Sequence, residues 1–146
     1  MAERGRSPKG SQGLSADEHA AVKHAEAETR RTRAGKNTEQ DVLDAIAAMD
    51  GSDRAIAEGL HALVKRVAPD LTPRTWYGFP AYAREGKVLF FWQFAAKFKT
   101  RYGHLGFQDG ATLDEGSMWP TAFAITTWDA AIEQEVETLI RRAVGD

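Results

Sequence analysis

The sequence predicts an α+β fold: an antiparallel sheet of about four strands packed against amphipathic helices that precede and follow it, with an extra helical extension at the N-terminus. Three observations predict it. Apolar residues recur at 3.6-residue spacing through Val42, Leu43, Ile46 and Met49, through Ile56, Leu60, Leu63, Val64 and Val67, and again through Ile132, Val136, Leu139 and Ile140. Between Trp76 and Thr127 the pattern changes to aromatic-rich and β-type runs. The connections between those runs are short, which suits hairpins rather than crossover helices.

In chain order, residues 1–13 are dominated by Gly, Ser, Lys and Arg. They cannot bury enough apolar surface to offset chain entropy, so disorder is expected there. Ser15 stands three residues before Glu18, a capping-box spacing, and the chain to Arg33 is dense in Ala, Glu, Lys and Arg. Its only large aliphatics are Leu14 and Val22. Such a helix is expected to be exposed, frayed or docked on a partner. Gly35, Lys36 and Asn37 break it, so residues 1–37 read as an extension and 38–146 as the folded domain.

Thr38 is positioned to cap the first core helix, which ends before Gly51, and Ser52 precedes the second, which Pro69 ends. The segment Trp76–Ala83 reads as one strand, Arg84–Lys87 as a tight turn, and Val88–Phe94 as its hairpin partner. A third strand is expected over Thr100–Phe107 and a fourth around Thr121–Thr127, separated by the loop Asp109–Trp119. Thr126 and Asp129 have capping-box spacing before the closing helix, whose last turn carries Arg141 and Arg142 where cations favour the dipole.

Composition narrows the chemistry. With 146 residues and 42% hydrophobic content, one core is the working expectation. No Cys is present, which removes disulfides, thiolate metal sites and thiol nucleophiles and fits a reducing cytoplasm. No apolar run approaches the ~20 residues of a membrane span, and Met1 to Arg6 lacks the apolar stretch of a signal peptide. Nineteen Lys and Arg against 21 Asp and Glu leave a formal net charge of -2, so no global field steers the chain onto nucleic acid. There is no Gly-x-Ser-x-Gly elbow and no Gly-rich phosphate loop, and a non-enzymatic protein is the expectation.

Two stretches carry a family resemblance. Pro73-Arg74-Thr75-Trp76-Tyr77-Gly78-Phe79-Pro80-Ala81-Tyr82 with Gly86-Lys87-Val88-Leu89-Phe90-Phe91, and Leu113-Asp114-Glu115-Gly116-Ser117-Met118-Trp119-Pro120, resemble the YdhG-like family, a domain of unknown function grouped with frataxin-like, YjbR/CyaY-type proteins. The resemblance runs from about Asp41 to the end. It implies helices before and after an antiparallel sheet, and a cytoplasmic binding protein that carries iron and serves an iron-cofactor assembly partner.

Hard cations want clustered carboxylates, and the candidates are Asp109, Asp114 and Glu115 on the long loop, with Asp41 and Asp44 at i and i+3 on one helix, where the alternative is a solvated face. The acidic ridge that a frataxin-type core helix presents is reduced here, on the second core helix, to Asp53 and Glu58, balanced by Arg54, Lys65 and Arg66. A second reading is a sensor or accessory domain for a small anionic ligand. Lys97, Lys99 and Arg101 alternate along a strand or its approach and would project from one face beside Tyr102. Lys97, Arg101, Tyr102 and Trp119 would then form an anion-and-ring pocket. The alternative for the basic stripe is a solvated face guarding an edge strand. The aromatic set is equally open: Trp76 and Phe79, beside Pro80, read as scaffold, whereas Trp119 serves packing and binding equally well. A third reading is a protein-interaction module in which Arg30, Arg31 and Arg33 meet an acidic partner.

Overall fold

A computed structural model describes residues 16–33 and 37–145. The expected disorder of residues 1–13, the Ser15 cap and the Gly35-Lys36 break lie outside the described residues. Five helices and five strands follow in the order α1 (Ala16–Arg33), α2 (Glu39–Ala47), α3 (Gly51–Val67), β1 (Thr72–Trp76), β2 (Phe79–Arg84), β3 (Lys87–Gln93), α4 (Ala95–Phe98), β4 (Gly103–Phe107), β5 (Ala122–Ile125) and α5 (Ala130–Val144). The strands form one antiparallel sheet in sequential order, β1-β2-β3-β4-β5. The α+β architecture is as the periodicity requires, with five strands in place of four.

The additional strand, β1, lies almost wholly ahead of the expected strand Trp76–Ala83, which starts instead at Phe79 as β2. Tyr77 and Gly78 both adopt left-handed backbone, at φ 53° and 85°, and form a two-residue turn between β1 and β2. Glu85 and Gly86 repeat that geometry between β2 and β3. Such turns match the right-handed twist of the strands they join. The expected third strand starts at Gly103 rather than Thr100, because the chain bends through Arg101 and Tyr102 as it leaves the helical turn α4. Its free N–H groups at Ala95 and Ala96 donate to the two carboxylate oxygens of Asp53, at 2.9 and 3.0 Å. Lys97 therefore sits on a helix, Lys99 on its left-handed C-cap and Arg101 on a bend. The alternating basic stripe does not form.

The helix starts differ in detail from the sequence reading. Thr38 caps α2 as expected: its N–H donates to Asp41 at 2.8 Å, and Asp41 returns its own N–H to the Thr38 carbonyl. The cap of α3 is Asp50 rather than Ser52. For α5 it is Asp129, whose carboxylate accepts from the Ile132 N–H at 2.9 Å. A side-chain acceptor satisfies one of the orphan donors of a first turn.

Helices α2, α3 and α5 cover one face of the sheet. Val42 and Ile46, Ile56, Leu60, Leu63 and Val64, and Val136 and Ile140 meet the inward side chains Tyr82, Phe90, Trp92, Leu105 and Phe107. Trp92 is fully buried and its indole N–H donates to the Asp53 carbonyl at 3.3 Å. Gly59 has a packing reason: the Trp128 indole occupies the space its Cβ would need. Stripes of this size supply the main stabilisation, on the order of 1.5–3 kcal/mol for each fully buried aliphatic.

The sheet edge at β1 is blunted by Asn37. Its side-chain oxygen accepts from the Thr75 N–H at 3.1 Å, and its Nδ2 donates to the Thr75 carbonyl at 3.1 Å. One carboxamide thus occupies the backbone donor and acceptor that would recruit another strand.

Candidate functional site

Strand alternation sends a second set of side chains to the face opposite the three helices. On that outer face Trp76 opposes Phe79, Arg74 opposes Ala81, Ala81 opposes Phe91, and Phe91 opposes Gly106. Phe79, Ala81 and Phe91 form a buried cluster of their own, with Trp76, Val88, Phe94 and Phe98 packed around it. Phe79 and Phe91 stack at 5.3 Å, and Trp76 meets Phe91 edge-on at 5.3 Å and Tyr77 at 4.8 Å. Pairs of this kind contribute about 0.5–1.5 kcal/mol each beyond area burial. Gly106 leaves room for the Phe91 ring, which lies where a Cβ would be.

Helix α1 reaches this face where β1 and α4 approach it. Ala21 is buried, while Val22 stays 43% exposed. Between helix and sheet lies a cavity of about 380 Å³, walled by Trp76, Tyr77, Phe79, Phe91 and Phe98, with Ala21 and Val22 above and Gln93 and Gln108 at the side. That volume falls within the range of small-molecule sites. Tyr77 holds its ring at the rim from a left-handed backbone, a conformation costing a residue with a Cβ on the order of 1 kcal/mol.

A second cavity, of about 370 Å³, opens at the turn end of β1 and β2, between α1, α2 and α4. Asp41, Asp44, His24 and Lys97 line it together with Gly78 and Phe94. A Cβ on Gly78 would run into the His24 ring and lie 2.7 Å from Lys97 Nζ. Only glycine combines that close approach with φ 85°.

The sequence-predicted residues are distributed as follows. Asp41 and Asp44 do share a cavity, but both carboxylates carry structural hydrogen bonds: Asp41 caps Thr38, and Asp44 Oδ1 accepts from Gln40 at 2.9 Å. Asp114 and Glu115 are exposed on the loop between β4 and β5. Asp53, one of the two acids left on the ridge, caps α4, and Glu58 pairs with Arg54 at 3.0 Å. Among the described residues no group of three or more His, Asp or Glu is placed to hold a metal ion. The four residues of the anion-and-ring pocket are divided among three places. Lys97 lines the charged cavity, Arg101 stacks at 4.9 Å on the exposed Tyr102, and Trp119 packs against the helical-side core. The side chains of Arg30, Arg31 and Arg33 lie outside the described residues.

Two features escaped the sequence reading. One is the outer aromatic cluster, whose signal is the uninterrupted run Val88–Trp92: a strand apolar at every position must be covered on both faces. The other is a buried polar chain. His61, 8% exposed, places Nδ1 2.9 Å from the Tyr82 hydroxyl and Nε2 2.7 Å from Glu39 Oε2, and Lys65 donates to Glu39 Oε1 at 3.0 Å. Burial pushes the Tyr82 phenol far above its ordinary range, so it stays a donor. The Lys65 hydrogen bond, then that of His61, holds the Glu39 carboxyl below its ordinary value. All partners are satisfied when Tyr82 donates to Nδ1 and His61 carries its proton on Nε2.

Comparison with protein families, with curated proteins and with solved structures found no match.

Proposed function

We propose that this chain is a binding protein for a small ring-bearing molecule, held in the cavity between α1 and the outer face of the sheet. The observation that carries this reading is that cavity's wall: five aromatic rings, three from the outer face of the sheet, Tyr77 from the turn between β1 and β2, and Phe98 from α4, on the side that the three core helices leave uncovered. A concave apolar site with a few polar groups at its margin is the usual form of a ligand pocket. The charged residues near it support no hydrolytic or transfer chemistry of a defined kind, and binding without turnover is the reading adopted.

Ligand-detected NMR with indole as the probe tests the proposal. Saturable binding is expected, and Val22→Trp, which fills the cavity from α1 without touching the sheet, should remove it while leaving the melting temperature within a few degrees. Absence of saturable binding, or binding indifferent to both Val22→Trp and Phe91→Ala, overturns it.

Iron carriage, which the resemblance to YdhG-like proteins implies, is the second reading. It is favoured by Asp41, Asp44 and His24 lining one cavity. The Lys97 ammonium in the same cavity and the hydrogen bonds already held by both carboxylates count against a tight site. Anaerobic titration with ferrous iron decides it: a saturable signal lost in Asp41→Asn/Asp44→Asn supports carriage, and no saturable signal ends it.

A further inference from the structure

The aromatic cavity also contains information about which rings it takes, and this inference rests on the reading just given. Gln93 sits on the outer face two residues beyond Phe91, directly across from His104, and Gln108 follows the end of β4. Both line the cavity, and neither carboxamide hydrogen-bonds to any described residue. A carboxamide presents two donors and an acceptor with two lone pairs. Among the described residues the cavity wall otherwise offers carbon, one indole and one phenol, and none of these lining residues is an acid or a base of the Asp, Glu, Lys, Arg or His type.

That combination selects by charge and by edge. An ionised ligand entering a ring-walled space sheds hydration that two neutral carboxamides replace only in part, with no opposite charge among the described lining residues, which is expensive. A purely hydrocarbon ring enters freely but makes no hydrogen bond to the half-buried Gln93 or to Gln108 at the exposed margin, so it gains nothing from them. A planar, uncharged ring with a donor and an acceptor side by side gains on both counts. Its face lies against Trp76 and Phe91, and its edge meets an amide that matches it. We propose that the ligand is a neutral heteroaromatic compound with a lactam-type edge, and that Gln93 and Gln108 are the residues that determine this specificity.

The test compares three probes of similar size on the whole chain by calorimetric or fluorescence titration: quinolin-2(1H)-one, naphthalene and 1-naphthoate. The lactam should bind roughly tenfold tighter than naphthalene, as two modest hydrogen bonds would give, and 1-naphthoate should bind weakest. Gln93→Leu and Gln108→Leu should each reduce the ratio of lactam affinity to naphthalene affinity. Equal affinity for lactam and hydrocarbon, a preference that survives both substitutions, or tightest binding of the carboxylate overturns the specificity assignment while the ring site stands. Failure of all three probes to bind removes the ring site itself.

Discussion

Replacing Tyr82 by Phe removes one oxygen from the interior and leaves the ring in place. The Tyr82 side chain is fully buried, stacked on Phe90 at 5.3 Å, and its hydroxyl lies 2.9 Å from His61 Nδ1, to which it donates in the tautomer that carries the ring proton on Nε2. Without it Nδ1 faces carbon in a site that water barely reaches. An orphaned buried acceptor costs about 1–3 kcal/mol, so Tyr82→Phe is expected to lose about 2 kcal/mol. His61→Leu removes the other partner. It strands the Tyr82 hydroxyl and withdraws a donor from Glu39, with a loss of similar size. In the double variant Tyr82→Phe/His61→Leu both buried polar groups disappear together. Its destabilisation should therefore fall short of the sum of the singles by about 1–2 kcal/mol. Urea unfolding followed by tryptophan fluorescence measures all four corners of the cycle, and unchanged m-values confirm that the unfolded reference is shared. Additivity within about 0.5 kcal/mol would refute the reasoning, because it would mean that hydroxyl and imidazole do not depend on each other.

Glu39→Gln should change the acid limb of the stability curve. Because the folded carboxyl lies below its ordinary value of 4.5, its contribution is present above that pH and is lost as pH falls through the folded value; wild type and variant should converge at the acid end, and a pH-independent gap would contradict this. Gly59→Ala would raise intrinsic helix propensity by about 1 kcal/mol, yet the new methyl overlaps the Trp128 indole, so a net loss of about 1–3 kcal/mol is expected in denaturant unfolding, and a gain would show that the indole moves freely. Tyr77→Asn relieves left-handed strain at the turn and removes a wall of the ring cavity: stability should rise by roughly 0.5–1 kcal/mol while indole binding weakens, and loss of both would assign Tyr77 to the scaffold instead.

How far the fold could be read ahead depended on how local each signal was. The apolar stripes of α2, α3 and α5 and the Glu85-Gly86 turn were legible because each is written within a few neighbouring residues. The division between β1 and β2 was not, since tyrosine is an unusual occupant of a left-handed turn position and the run around it looks continuously strand-like. Trp76, which the neighbouring Pro80 marks as scaffold, packs on the outer cluster but is only half-buried and walls the cavity, whereas the tryptophan held fully in the core is Trp92.

The sequence by itself determined the three amphipathic core helices, the face that each turns inward and the strand-rich middle, because periodicities of 3.6 and 2 are properties of a short stretch of backbone. Only the tertiary structure decided what converges. Asp53 reaches a helix turn 42 residues away, and His61 finds Tyr82 and Glu39 at separations of 21 and 22. Trp76, Phe79 and Phe91 become one surface through strand register and a two-residue turn. Such meetings follow from how distant segments pack to bury apolar area, and no window of the chain contains that information.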